Sequence, residues 1–110
     1  MSFKKGDIVV IPVPFTDNTT VKKRPAVVLS GNEVQATGDV LIAQITSKVY
    51  HDNLSFILSP TDVTVPLLKQ SHVRIHKLFV LEERLIEKKV SELIPSAYSL
   101  LAGRISVLIS

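Results

Sequence analysis

Lys22-Lys23-Arg24-Pro25-Ala26-Val27-Val28-Leu29-Ser30 is the stretch that decides the fold. A polar segment ends in three cations, a proline follows, and an apolar run begins. The spacing predicts a buried strand over 25–30 with Arg24 at its lip. A guanidinium held there by a rigid strand is a fixed fork, and its donors match two phosphate oxygens at once. Downstream, Asp39-Val40-Leu41-Ile42-Ala43-Gln44-Ile45 reads as a second buried strand over 40–45, running into Thr46-Ser47-Lys48. Gly31-Asn32 and Gly38-Asp39 mark turns between the two. An antiparallel hairpin in which Ser30 faces Val40 also sets Arg24 against Thr46, on one face of the ladder. A slip of one residue would part them.

The rest of the chain reads as short strands with punctuation. Gly6-Asp7 opens a strand over 8–15, where Pro12 and Pro14 call for a bend or a partly free edge. Residues 16–23 read as an exposed polar loop, and 47–53 as another. Leu54–Leu58 is a short strand, closed by Ser59-Pro60-Thr61-Asp62. Val73-Arg74-Ile75-His76 alternates, then runs into Leu78-Phe79-Val80-Leu81, a long strand expected to be exposed on one face at first and more buried later. Residues 86–91 suggest a further strand. After Pro95, the residues Ala97, Leu101, Ile105 and Leu108 recur at helical spacing, and Pro95 suits a first turn. The expected fold is mainly β: a small, partly open barrel with a C-terminal helix as lid, in a single domain over 1–110.

Composition narrows the function classes. An apolar fraction of 45% can build a core, and the absence of cysteine excludes disulfides and thiolate metal sites. Absent cysteine makes a reducing cytoplasm the natural compartment. The formal net charge of +3 leans towards nucleic acid or an acidic protein partner. Phe3-Lys4-Lys5 before an apolar run imitates a signal peptide, but the run is short and holds two prolines, so a cytoplasmic protein is expected. Few aromatic residues argue against a base-stacking platform of the cold-shock type.

Several pieces together resemble the MazF/PemK family of toxin endoribonucleases: Gly6-Asp7-Ile8-Val9, Phe15-Thr16-Asp17, Arg24 to Ser30, Ala43-Gln44-Ile45-Thr46-Ser47, and Ser71-His72-Val73-Arg74 running into Lys77-Leu78-Phe79. Their order agrees as well. The resemblance implies an SH3-like barrel, a homodimer, cleavage of single-stranded RNA without metal or other cofactor, and an acidic antitoxin that blocks the RNA groove. Carried onto this chain, it implies Arg24 and Thr46 as catalytic residues. Better-known members place a Gly-Ser-Glu-Gln-like segment before the arginine. Here Asn18-Thr19-Thr20 stands instead, so a sequence preference does not transfer.

Candidate substrate contacts are Thr19, Thr20, Lys22, Lys23, Ser47, Lys48 and His51. The lysines suit phosphate, which gives affinity without sequence information. Each is also an ordinary surface cation, Thr46 an ordinary strand-end hydroxyl, and His51 a solvated loop histidine. His72 and His76 share a strand face with Arg74, expected to be wet or a dimer surface and not a metal site, since no carboxylate is spaced with them. Glu82, Glu83, Glu87, Lys88 and Lys89 read as a solvated charged segment. The alternative function is a non-catalytic barrel of the same fold that binds a protein target such as gyrase; an inert basic adaptor is the third reading.

Overall fold

The computed structural model describes residues 3–14 and 21–110. Its strands are β1 (Asp7–Pro14), β2 (Val21–Val28), β3 (Asp39–Thr46), β4 (Ser55–Leu58), β5 (Ser71–Glu82) and β6 (Lys88–Glu92). The helices are a short α1 (Asn32–Gln35) between β2 and β3 and a terminal α2 (Pro95–Leu108). All six strands join one antiparallel sheet in the order β4-β5-β3-β2-β1-β6. The edges do not pair along their length, but the segment after β4 meets the end of β6. Val63 bridges Leu93, and the amides of Thr64 and Ile94 donate to the carbonyls of Glu92 and Asp62, both at 2.9 Å. The sheet thus curls into the expected partly open barrel.

Period-two alternation explains the core. Ile8, Val27, Ala43, Ile45, Phe56 and Val73 point to one side, where α2 lays Ala97, Leu101 and Ile105 against them. Val9, Ile11, Ala26, Val28, Val40 and Ile42 point to the other side with Ile86. Both faces of the central strands are covered, which is why their sequences run apolar without interruption. Leu108 does not join this core; it is exposed beyond the buried stripe of α2.

Two ties hold α2. The Tyr98 hydroxyl donates to the Leu29 carbonyl at 2.9 Å, and burial raises its pKa. Arg104 donates to the Ser55 and Asn53 carbonyls at 3.0 and 2.7 Å, covering part of the open edge at β4. Gly103 lies exposed between these ties, with nothing within 4 Å of a built Cβ. Gly103→Ala should therefore stabilise the fold by about 0.5–1 kcal/mol, measurable by urea unfolding, because only helix propensity and unfolded-state entropy change.

Two expectations need correction. Residues 21–23 are not loop: β2 begins at Val21 and pairs with β1 through Pro14, while 16–20 lie outside the described residues. The partly free edge expected of β1 is present: β6 covers it only from Asp7 to Val10, so Pro12 and Pro14 fall where that flank has no strand partner among the described residues. The burial order of β5 is the reverse of that expected, with Ser71–Ile75 buried and the later residues half-exposed or exposed. The cause is the 47–53 loop, which lies over the start of β5, as the contacts below show.

Candidate active site

β2 and β3 pair Ala26 with Gln44, Val27 with Ala43 and Val28 with Ile42. The Leu29 amide continues the ladder by donating to the Leu41 carbonyl at 2.8 Å, and the Ser30 hydroxyl accepts from the Leu41 amide at 3.0 Å. This is the register in which Ser30 faces Val40. In the other direction the pairing stops at Ala26 and Gln44, so Arg24 and Thr46 each lie two residues past the last pair, and β3 shifts its register against β5 between Ala43 and Ile45. On its other flank Arg24 pairs with Ile11 of β1. Arg24 is half-buried, and its Nη1 donates to the Lys23 carbonyl at 3.3 Å.

Thr46 ends β3, opposite His72 of β5. Its Oγ1 accepts from the Lys48 amide at 3.1 Å, a turn that bends the chain into the 47–53 loop. The hydroxyl proton is not used by that bond and can be donated elsewhere. Ser47, Lys48 and His51 are exposed on the loop. Lys22 and Lys23 are exposed on β2, and Lys23 forms an ion pair with Glu87. That pair lowers the Glu87 pKa. Glu87 therefore belongs to a specific contact and not only to a solvated segment. Thr19 and Thr20 lie outside the described residues.

A cluster that sequence reasoning missed lies under the loop. Arg74 is 5% exposed. Its Nη1 and Nη2 donate to Asp52 Oδ1 and Oδ2, each at 2.9 Å, and Nη1 also donates to Ser55 Oγ at 2.9 Å. The Tyr50 ring covers the guanidinium, with its centroid 3.9 Å from Cζ, and Lys48 Nζ stands 5.2 Å from the same centroid. His72 meets Tyr50 edge-on, and its Nε2 lies 2.6 Å from the Lys48 carbonyl. A carbonyl can only accept, so Nε2 carries the proton. Only His76 of the expected wet face is exposed; His72 and Arg74 are buried. The signal was an arginine between two apolar strand residues, which demands a carboxylate partner once buried.

The Arg74 guanidinium holds the Asp52 carboxyl down at about 2, with the Leu54 amide assisting. An unpaired aspartate titrates near 3.9. A depressed pKa contributes stability that is complete above the ordinary value and lost as pH falls through the lowered one. The loop should therefore loosen between about pH 4 and pH 2, and the Asp52 carboxyl resonance should titrate near the lower limit. A midpoint near 4 would mean that the pair does not form in solution.

Among the described residues, no three histidine or carboxylate groups converge as metal ligands. No described helix is long and apolar enough to cross a membrane.

The profile of the family described as "PemK-like, MazF-like toxin of type II toxin-antitoxin system" matches residues 4–109. Among solved structures, a MazE-MazF crystal structure from Deinococcus radiodurans superposes with a TM-score of 0.79 at 19% identity, covering 99% of this chain and 97% of that one. An endoribonuclease in complex with its cognate antitoxin, from a mycobacterial species, gives 0.80 at 15% identity, with 98% and 95% covered. The Mycobacterium tuberculosis toxin MazF-mt6 gives 0.71 at 20% identity, with 92% and 93% covered. No curated protein sequence matches the chain.

Proposed function

The chain belongs to the PemK-like, MazF-like family of type II toxins, and on that premise we propose that it is an endoribonuclease cutting single-stranded RNA without a metal. The observation that supports this reading is the β2–β3 register, in which Arg24 and Thr46 each lie two residues beyond the last pair, Ala26 and Gln44. In the reaction, the 2′-oxygen loses its proton and attacks the adjacent phosphorus. The bond to the 5′-oxygen breaks, that oxygen takes up a proton, and a 2′,3′-cyclic phosphate remains. Negative charge grows on the non-bridging oxygens, where Arg24 and the Thr46 O–H donate. Arginine stays protonated far above neutral pH, so Arg24 stabilises charge and orients the 2′-hydroxyl; it is not a free base. Lys22, Lys48, Ser47 and His51 are placed on exposed surface for backbone contacts.

The test is incubation with a long single-stranded RNA in excess chelator. Upstream fragments ending in a cyclic phosphate are expected. Intact RNA would leave the fold with a binding role.

We further propose a cytoplasmic homodimer held in check by an acidic antitoxin. Of the structures named above, one is a MazE-MazF complex and one an endoribonuclease in complex with its cognate antitoxin, and the chain's net charge of +3 suits an acidic partner. Antitoxin and RNA would share cations, so inhibition should be competitive and its on-rate should fall as salt rises. Simultaneous, independent binding of both to an Arg24→Ala protein in a competition titration would refute the shared groove.

A further inference from the structure

We propose that Asp52 and Arg74 are positioning residues for RNA cleavage: their ion pair fastens the 47–53 loop onto β5 and thereby sets the turn that presents the Thr46 hydroxyl. The role in cleavage rests on the ribonuclease reading above. The loop has no strand of its own between Thr46 and Ser55, and apart from the Ile75 amide bonded to the Leu54 carbonyl at 2.9 Å it is held by side chains. β5 grips it at two places. Near its start, His72 holds the Lys48 carbonyl at 2.6 Å. Towards its end, Arg74 holds both oxygens of Asp52 and lies beneath the Tyr50 ring. Asp52 Oδ1 also accepts from the Leu54 amide at 3.0 Å, which closes the loop onto β4. The Lys48 amide that bonds Thr46 Oγ1 lies immediately before the first grip, in the residue whose carbonyl His72 holds. The orientation of that hydroxyl is thus tied to the loop, and the loop to the ion pair.

The chemistry of Arg74 fits anchoring. Its guanidinium is buried, its fork is filled by a carboxylate and Ser55, and its Nε–H has no hydrogen-bond partner among the described residues. A buried cation of this kind depends on its carboxylate. Lysine would supply the charge without the two-pronged geometry or the flat face against Tyr50. Asp52 lies on the exposed loop outside both apolar cores, but its removal leaves the Arg74 cation buried without a carboxylate, so Asp52→Glu and the double variant, which keep or delete both charges, control for that cost.

The experiment compares wild type, Asp52→Ala, Asp52→Glu, Arg74→Met and the double variant Asp52→Ala/Arg74→Met. It uses single-turnover cleavage of a defined RNA and amide hydrogen exchange. Misplacement of a reacting group by about 1 Å can cost about 100-fold. Asp52→Ala should accordingly lower kcat by about 10–100-fold with a smaller change in KM. Exchange at the Lys48 and Leu54 amides should quicken while the β1–β2 ladder stays protected. Asp52→Glu should restore part of the rate. Asp52→Ala should cost little more in the Arg74→Met background, since the pair is already broken. Should Arg74→Met fail to fold, the two Asp52 variants decide alone. Wild-type kcat in Asp52→Ala, or unchanged exchange at Lys48, would overturn the proposal while the ribonuclease reading stood. A wild-type protein inert on RNA would end the ribonuclease reading and the role in cleavage together, and the exchange data would still report whether the pair holds the loop.

Discussion

Arg24→Ala should lose about 10²–10³-fold in RNA cleavage and remain folded. The loss is large because a preorganised donor aimed at developing phosphate charge acts mainly in the transition state. Folding should survive because Arg24 is half-buried near the start of β2 and belongs to neither apolar core. Its backbone pairing with Ile11 is indifferent to the side chain. Arg24→Lys should also be poor, since a point charge does not reproduce two parallel donors. The measurement is single-turnover cleavage alongside the thermal melt of each variant. A folded Arg24→Ala protein cutting RNA at near-normal rate would remove Arg24 from the site.

Arg24 and Arg74 show which parts of this molecule are legible in the chain. The β2–β3 register was readable because two continuous apolar runs are joined by a short segment punctuated at Gly31 and Gly38, and Gly38 does adopt a positive φ of 88°. Local rules settle such a hairpin. The helix was readable for the same reason: Ala97, Leu101 and Ile105 recur every four residues and all three are buried. Local alternation failed at β5. His72 and Arg74 look like the polar face of a half-wet strand, yet both are buried because a loop some twenty residues earlier folds over them. Period two reports that a residue faces away from its apolar neighbours. It cannot report what another segment lays on that face. The same limit applies to Lys23, which stands on β2 beside a carboxylate 64 positions away.

The contrast also assigns different tasks to the two arginines. Arg74 is enclosed by Asp52, Ser55 and Tyr50, so its fork is spent on the protein. Arg24 is half-buried near the start of β2, next to the exposed Lys22 and Lys23. A buried, carboxylate-filled guanidinium shapes a loop, whereas the role proposed for Arg24 needs a fork that reaches a phosphate.

The largest effect is expected from the substrate. Replacing the ribose at the cut site with 2′-deoxyribose should stop cleavage there altogether, because the only nucleophile in the proposed step is removed. Binding should change little, since the proposed contacts of Lys22 and Lys48 address phosphate and not the sugar hydroxyl. Thr46→Val offers the complementary loss on the protein side. It keeps the shape but deletes the O–H donor, so cleavage should fall much more than RNA affinity. It also removes the acceptor of the Lys48 amide, whose exchange should quicken. The two perturbations separate the roles: the deoxy substrate abolishes the reaction with the phosphate contacts in place, whereas Thr46→Val slows a reaction that still yields a cyclic phosphate. Cleavage at the deoxy position would require another nucleophile, such as an external water, and a strict need for Mg²⁺ would end the metal-free reading; either result would overturn the mechanism.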